Sequence, residues 1–176
     1  MNMMAKRILR YCSLLLLACP LLASCVRDDK APEVREYVRV GDSLPRFSVT
    51  LTDGTRVDNA TWAGRTLVLV LFSIDCSDCK RELPQVERFF QMVKGRDDIY
   101  TLGISRAGGH EAVTSYWRDN GFTFPCSPQE DRRVYDLFAS AIVPRIYVVS
   151  PWGKVTPMFD DTNMPSAETL LRLTEN

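Results

Sequence analysis

Two stretches of the chain are apolar at nearly every position. Residues 66–73 form the first run, in which Thr66, Val68 and Val70 are β-branched, and residues 99–104 form the second. A continuous run of this kind suits a strand that is covered on both faces, as in a parallel sheet. The pattern therefore predicts two buried strands.

Helical spacing of apolar positions follows the first of these runs. Between residues 77 and 94 the apolar positions recur at intervals of three and four, at Leu83, Val86, Phe90 and Val93. Gly95 then provides a stop signal. Three further helices are predicted at residues 110–120, 130–139 and 166–173.

Shorter strands complete the pattern. Residues 47–51 alternate between apolar and polar before the turn Asp53-Gly54, which is a hairpin signal. Other strands are predicted at residues 122–124, 145–149 and 155–159. Pro157 confines the last of them to the edge of a sheet, because proline cannot donate to the ladder. The order of elements predicts an α/β fold with a mixed central sheet flanked by helices.

The N-terminus has the composition of an export signal. Lys6, Arg7 and Arg10 precede an apolar run over residues 14–23 that is too short to span a bilayer. The ending Leu22-Ala-Ser-Cys25 resembles a bacterial lipobox, whose cysteine receives a diacylglyceryl group and becomes the first mature residue. The alternative is a plain signal peptide with a coincidental Cys25. The small residue before the cysteine favours the lipoprotein form.

Domain boundaries follow from this interpretation. We expect a signal over residues 1–24, a lipidated Cys25 with a flexible tether over residues 25–40, and a folded domain over residues 41–176. Residues 26–30 resemble a signal that sends lipoproteins to the cell surface in one group of Gram-negative bacteria. We interpret them as a solvated linker.

Composition adds two constraints. The chain has 176 residues, which suits one domain, and it carries 22 basic and 22 acidic residues. Removal of the basic signal leaves a mildly acidic domain, which gives no support to nucleic-acid binding. Of the six cysteines, Cys12 and Cys19 leave with the signal. The six cysteines therefore do not form a disulfide framework. Besides Cys25, the predicted mature chain keeps Cys76, Cys79 and Cys126.

The pair Cys76 and Cys79 lies between a predicted strand and the helix that follows it. At a helix N-terminus, free N–H groups and the helix dipole stabilise a thiolate, which is the attacking species in disulfide exchange. Cys79, one turn along, could then attack the mixed disulfide and release the partner. A Cys-x-x-Cys in this context indicates a redox-active pair.

Other uses of the pair have weaker support. A zinc site would need two more ligands, and only Cys126 and His110 are available. A structural disulfide would close a very small loop, which makes it an inefficient crosslink. A peroxidase would show a Thr-x-x-Cys pattern, and a copper chaperone of related fold would show a wider Cys-x-x-x-Cys with a late histidine.

The segment Phe72-Ser-Ile-Asp-Cys-Ser-Asp-Cys-Lys-Arg-Glu-Leu-Pro84 resembles the active site of membrane-anchored thioredoxin-like proteins of the TlpA/ResA type. The resemblance extends to residues 40–47 upstream and 142–154 downstream, and covers about residues 40–173. It implies a thioredoxin-like fold with an N-terminal β-hairpin extension.

The resemblance also assigns roles to three residues. It implies that Pro144 is a cis-proline facing Cys76, with the Val143 backbone free to pair with an extended substrate segment. It implies that Glu82 is a partly buried acid that moves a proton to and from Cys79, because a carboxyl in low dielectric has a raised pKa. Thioredoxins carry a buried aspartate at the position of Val70, so Glu82 is the candidate acid here. The alternatives are a trans-proline and a surface glutamate.

This chain departs from the family pattern around the first cysteine. Asp75 replaces the usual tryptophan, and Ser77-Asp78 replaces a pair that contains proline. Two carboxylates flanking Cys76 oppose thiolate formation by like-charge repulsion, which lowers the reduction potential. We therefore expect a reductant.

Three residues complete the candidates. Arg145 could neutralise Asp75 or Asp78, bind an acidic partner, or be solvated. Cys126 is expected to be a buried, inert thiol. His110 is expected to be a surface residue.

The sequence thus predicts a lipid-anchored protein-disulfide reductase that faces the periplasm or the cell surface. Exported thiol or disulfide proteins would be its substrates, and an upstream thiol donor would supply electrons, because the chain carries no flavin or nicotinamide motif. We expect no metal, no organic cofactor and no nucleic-acid partner, and a monomeric chain.

Overall fold

The computed structural model describes residues 34–175, and the chain divides into two units at residues 33 and 34. The predicted signal, the lipidated Cys25, the proposed sorting segment and the tether up to residue 33 lie outside the described residues. Among the described residues, no helix is long and apolar enough to cross a membrane.

Seven strands and three α-helices follow one another along the described chain. They are β1 (Ser48–Thr50), β2 (Arg56–Asp58), β3 (Thr66–Phe72), α1 (Ser77–Met92), β4 (Ile99–Ser105), α2 (His110–Asp119), β5 (Cys126–Ser127), β6 (Arg145–Val149), β7 (Val155–Phe159) and α3 (Ala167–Leu173). A short 3-10 turn, Tyr135–Leu137, lies between β5 and β6.

Five strands form a mixed sheet in the order β5-β4-β3-β6-β7. β3 pairs in parallel with β4, and β4 with β5, whereas β6 is antiparallel to β3 and β7 is antiparallel to β6. β3 is central, and Leu67 to Phe72 are fully buried, as the apolar run predicts. Pro157 lies in the edge strand β7, which confirms its predicted place.

The predicted hairpin is present as a separate two-stranded sheet. β1 and β2 are antiparallel, with Val49 opposite Val57, and both side chains are buried. The hairpin is held to the main domain by two hydrogen bonds: Ser127 Oγ donates to the carbonyl of Thr50 at 2.7 Å, and the Thr52 N–H donates to the carbonyl of Cys126 at 2.9 Å.

α1 begins directly after the central strand. Its apolar face buries Leu83, Val86 and Phe89, and α3 packs against it. Pro84 lies inside the helix, where its missing N–H leaves one helical hydrogen bond unmade, and its side chain is exposed. The carboxyl end of β3 and the N-terminus of α1 together place the Cys-x-x-Cys.

The strand predicted at residues 122–124 is wrong. Phe122 and Phe124 are buried in a loop against Trp117, whose indole Nε1–H donates to the carbonyl of Phe124 at 3.0 Å. The strand that pairs with β4 is Cys126–Ser127 instead. Alternating apolar residues fit a strand, but here they fill an aromatic cluster beside α2.

The helix predicted at residues 130–139 is also wrong, since only the 3-10 turn forms there. The carbonyl of Phe138 accepts hydrogen bonds from the N–H groups of Tyr37 and Val38, at 2.9 and 3.2 Å. The N–H groups of residues 136–139 form local turn bonds, while the carbonyl of Phe138 bonds to a distant segment.

That distant segment belongs to the predicted tether. Glu36 forms a β-bridge with Ala139, and Val38 is 4% exposed. A free tether up to residue 40 is thus the wrong expectation for residues 34–40, and the folded unit begins at Val34. Val38 is the one buried residue of this short segment, so its apolar positions form no periodic buried face that would reveal the docking.

Candidate active site

Cys76 caps the N-terminus of α1. Its backbone is extended, with φ −88° and ψ 124°, and its sulfur accepts the N–H of Cys79 at 3.4 Å. The side chain is half-buried. A sulfur in this position faces the unpaired N–H groups of the first turn, which stabilise negative charge.

The loop before β6 meets the same sulfur. The Cys76 thiol donates to the carbonyl oxygen of Val143 at 3.3 Å, and the Val143–Pro144 peptide bond is cis. This is the arrangement that the resemblance implies for Pro144. It brings together two segments that are 67 positions apart in sequence.

Cys79 lies one turn further into α1 and is fully buried. Its sulfur accepts the N–H of Ser73 at 3.4 Å. Burial raises the pKa of the Cys79 thiol far above its usual value, and the neighbouring Cys76 adds to the rise, whereas the N–H of Ser73 and the charge of Arg106 oppose it. The two thiols therefore differ: one reaches solvent and the other stays protonated in the interior.

Glu82 lies three residues after Cys79, on the buried side of α1. It is 3% exposed, and its Oε1 has no hydrogen-bond partner among the described residues. Removal from water raises the pKa of Glu82 to about 7. Val70, where thioredoxins have a buried aspartate, is fully buried in β3. A surface position for Glu82 is thus excluded.

The two aspartates beside Cys76 have different surroundings. Asp75 is exposed and forms no ion pair within residues 34–175. Asp78 pairs with Arg81 at 2.6 Å, so much of its charge is balanced locally. Ser77 is the exposed first residue of α1.

Arg145 does not fit its predicted role in substrate binding. It is fully buried, pairs with Glu36 at 2.5 Å, and donates to the carbonyls of Ala141 and Ile142. Its guanidinium is occupied there, so it is neither solvated nor free to balance Asp75 or bind an acidic partner. As the first residue of β6, it points into the protein with its neighbours on both sides buried as well.

Cys126 and His110 lie where they were expected. Cys126 is 1% exposed in β5, and burial raises the pKa of its thiol well above the usual value. His110 is the exposed first residue of α2, and its backbone N–H donates to Glu130. No group of three or more potential metal-ligating side chains occurs within residues 34–175.

Two residues near the site were missed by sequence reasoning. Arg106 directly follows β4, its N–H donates to the carbonyl of Phe72 at 2.6 Å, and its charge acts on Cys79. Its place after a strand parallel to β3 could have indicated this, because parallel strands end at a common edge. Glu36 gave no comparable signal.

Comparison with known proteins places these features in a family. Residues 40–158 match the model of the AhpC/TSA family. The chain is 23% identical over 128 residues to thiol-disulfide oxidoreductase ResA of Bacillus subtilis, covering 73% of this chain and 71% of that protein. It is 24% identical over 138 residues to the protein of the same name from Oceanobacillus iheyensis, covering 76% and 69%.

Solved structures give the same result for the fold. A solution structure of a putative protein disulfide isomerase from Bacteroides thetaiotaomicron aligns with a TM-score of 0.73 at 24% identity, covering 81% of this chain and 90% of that one. A thiol:disulfide interchange protein of the thioredoxin family from Chlorobium tepidum aligns with a TM-score of 0.67 at 18% identity, covering 78% and 96%.

These comparisons confirm the thioredoxin-like fold and the resemblance to ResA-type thiol–disulfide oxidoreductases. The matched region includes Cys76, Cys79, Glu82 and Pro144. Because the family model matches well over half of the sequence, the chain belongs to the AhpC/TSA family.

Proposed function

We propose that this chain is an exported, lipid-anchored thiol–disulfide oxidoreductase that reduces disulfides in other exported proteins. One observation carries the proposal: a half-exposed Cys76 caps a helix beside the Val143 carbonyl, and a buried Cys79 lies one turn behind it. The exposed thiol is accessible to a substrate, and the buried thiol lies where it can attack the mixed disulfide between Cys76 and the substrate.

The exchange proceeds in two steps. The Cys76 thiolate attacks one sulfur of the substrate disulfide and bonds to it, while the other substrate sulfur leaves as a thiolate and takes a proton from solvent. The Cys79 thiolate then attacks Cys76 Sγ, releases the second substrate sulfur and closes the Cys76–Cys79 disulfide. Two electrons pass from the chain to the substrate, and no cofactor takes part.

Glu82 serves the second step. A buried thiol such as Cys79 has to lose its proton before it can attack, and burial opposes that loss. A carboxyl group with a pKa of about 7 is matched to accepting and returning a proton near neutral pH. Its position three residues along the same buried helix face supports this role.

Substrate recognition uses the loop before β6. An extended segment on either side of a substrate disulfide would pair with the Val143 backbone, beside Pro144. Pairing of this kind contacts the main chain of the substrate and not its side chains, so substrates of different sequence can bind.

The direction of electron flow follows from charge. Asp75 is adjacent to Cys76 and forms no ion pair within residues 34–175, so its charge opposes a second negative charge on the sulfur of the reduced form. A less stable reduced form means a lower potential, which suits a reductant. An upstream thiol protein would restore the dithiol.

Export and anchoring rest on the N-terminal signal and on relatives. One similar solved structure is described as a secreted thiol-disulfide isomerase from Corynebacterium glutamicum. A lipid on Cys25 would hold the domain at a membrane surface. Membrane fractionation tests this: Cys25→Ala should release the chain to the soluble fraction, and continued membrane association would contradict the anchor.

A single-turnover assay tests the activity. The full-length chain is reduced, freed of reductant and mixed with excess insulin, and the Cys76–Cys79 disulfide is followed by mass after alkylation. We expect stoichiometric oxidation of the wild type and of the control Cys126→Ala, and none of Cys76→Ala. A wild type that keeps both thiols would refute the proposed function.

A further inference from the structure

The Arg145 guanidinium donates hydrogen bonds to the loop that precedes it and to the carboxylate of Glu36. Nε donates to the carbonyl of Ile142 at 3.0 Å, and Nη2 donates to the carbonyl of Ala141 at 2.7 Å. Nη1 donates to Oε2 of Glu36 at 2.5 Å. The planar guanidinium has fixed donor directions, so these bonds set the geometry of both carbonyl groups.

The loop held in this way presents the Val143 backbone to Cys76. Ile142 has a φ of +73°, a left-handed conformation that a β-branched residue rarely adopts. Its carbonyl accepts a second hydrogen bond, from the Tyr135 hydroxyl at 2.7 Å. Because the hydrogen bonds from Arg145 and Tyr135 offset the unfavourable conformation of Ile142, the direction of the Val143 backbone depends on them.

Glu36 reaches the loop from the segment 35–38. Main-chain and side-chain hydrogen bonds join that segment to residues 138–140, with Arg35 and Ser140 bonded in both directions and Phe138 accepting from Tyr37. Glu36 is the one carboxylate that forms an ion pair with Arg145 within residues 34–175, and Asp160 lies near enough to feel the Arg145 charge. A buried guanidinium N–H without an acceptor is disfavoured, so we expect the loop contacts of Arg145 to depend on its hydrogen bond to Glu36.

We propose that Glu36 is a positioning residue for disulfide exchange: by holding Arg145 it fixes the loop 141–143, and with it the Val143 backbone that pairs with an extended substrate. The inference rests on the proposed function. Glu36 itself touches neither cysteine and acts through Arg145. Protein disulfides should therefore depend on Glu36, whereas a small disulfide, which has no peptide backbone to pair, should not.

Two substrates separate this role from a merely structural one. Steady-state reduction of insulin and of hydroxyethyl disulfide is measured with the full-length chain and dithiothreitol as donor. We expect Glu36→Ala to raise the KM for insulin on the order of fivefold, the factor that one ordinary hydrogen bond supplies. The kcat for insulin and both constants for hydroxyethyl disulfide should stay unchanged.

Conservative variants sharpen the test. Glu36→Gln keeps an oxygen that can accept from Arg145 and should recover most of the wild-type KM. Arg145→Lys keeps the charge opposite Glu36 but loses the fork that holds two carbonyls, so it should repeat the defect of Glu36→Ala.

Two controls address charge and stability. Glu168→Ala breaks the exposed pair between Arg88 and Glu168, and Val57→Ala removes buried volume from β2. Neither variant should raise the KM for insulin while leaving the constants for hydroxyethyl disulfide unchanged.

Equal losses with both substrates in Glu36→Ala, or an unchanged KM for insulin, would overturn the proposal. If Glu36→Ala does not fold, a wild-type KM in Arg145→Lys overturns it just as directly. A wild-type chain that reduces neither substrate would instead contradict the proposed function.

Discussion

At the scale of single residues, burial gives the groups of the site their different chemistry. Cys79 and Glu82 share the buried face of α1, and removal from water favours the neutral form of both. Cys76 is half-buried at the helix cap and can be reached from outside. The site therefore combines one accessible thiol, the proposed nucleophile, with a thiol and a carboxyl group that are both shielded from solvent.

Because the pKa of Glu82 is raised by folding, the free energy of unfolding should fall as the pH rises. Its pKa rises from 4.5 to about 7 on folding, so its stabilising contribution is complete below pH 4.5 and is lost as the pH rises through 7. Relative to wild type, Glu82→Gln should gain up to about 3 kcal/mol in free energy of unfolding between pH 4.5 and pH 8.

Urea denaturation of both chains at several pH values measures this difference. At pH 4 the two neutral side chains should give similar stability. A difference that does not change with pH would show that the carboxyl group titrates normally.

The aspartates beside Cys76 predict an asymmetric effect on redox potential. Asp75 has no ion pair in the described part of the chain, whereas Asp78 pairs with Arg81. Asp75→Asn should raise the reduction potential by on the order of 20 mV, because removal of the like charge stabilises the thiolate. Asp78→Asn should have a smaller effect.

Equilibration of each variant with glutathione buffers, followed by alkylation of free thiols, gives the potentials. A fall in potential for Asp75→Asn, or a larger shift for Asp78→Asn, would contradict this account of the charges.

The relative placement of residues could be predicted where a helix fixes the spacing. Cys76, Cys79 and Glu82 share one short helical segment, so their relation follows from the helical repeat. The surroundings of Arg145 could not be predicted, because Glu36 lies 109 positions earlier. A contact of that range depends on the whole chain path.

At the scale of elements, the central strand and the helix after it were predictable, because each has one strong period. β3 is apolar throughout and α1 repeats at three and four residues, and both follow from burial on a known face. The predicted strand at 122–124 and the predicted helix at 130–139 did not form: the first is a loop, and the second contains only local turns. The loop carbonyl of Phe124 accepts from Trp117, and the carbonyl of Phe138 accepts from Tyr37.

The aromatic cluster beside β4 predicts a tightly packed site for Gly103. A Cβ added there would lie 3.1 Å from Phe124 and 3.3 Å from Trp117. Gly103→Ala should therefore lower the free energy of unfolding by roughly 1–3 kcal/mol, as overpacked cores do. Denaturant titration with tryptophan fluorescence measures the loss, and unchanged stability would show that the rings shift freely.

At the scale of the whole molecule, the fold joins segments that are far apart in sequence into one site. β3 and α1 supply the cysteines, the loop before β6 supplies the Val143 carbonyl, and the segment 35–38 holds that loop through Arg145. The order of elements was enough to predict an α/β sheet, and the resemblance added the cis-proline. The docking of residues 34–40 was not predicted, because Arg35, Glu36 and Arg39 continue the charged character of the segment before them and only Val38 of these residues is buried.

Trapping of a mixed disulfide tests the central claim, that Cys76 attacks and Cys79 resolves. Full-length Cys79→Ser is reduced and mixed with insulin, and the products are separated without reductant and mapped by mass spectrometry. We predict a dithiothreitol-sensitive adduct of one chain with one insulin peptide, linked through Cys76, and no adduct with Cys76→Ser. No adduct with Cys79→Ser, or an adduct through Cys126, would contradict the assignment.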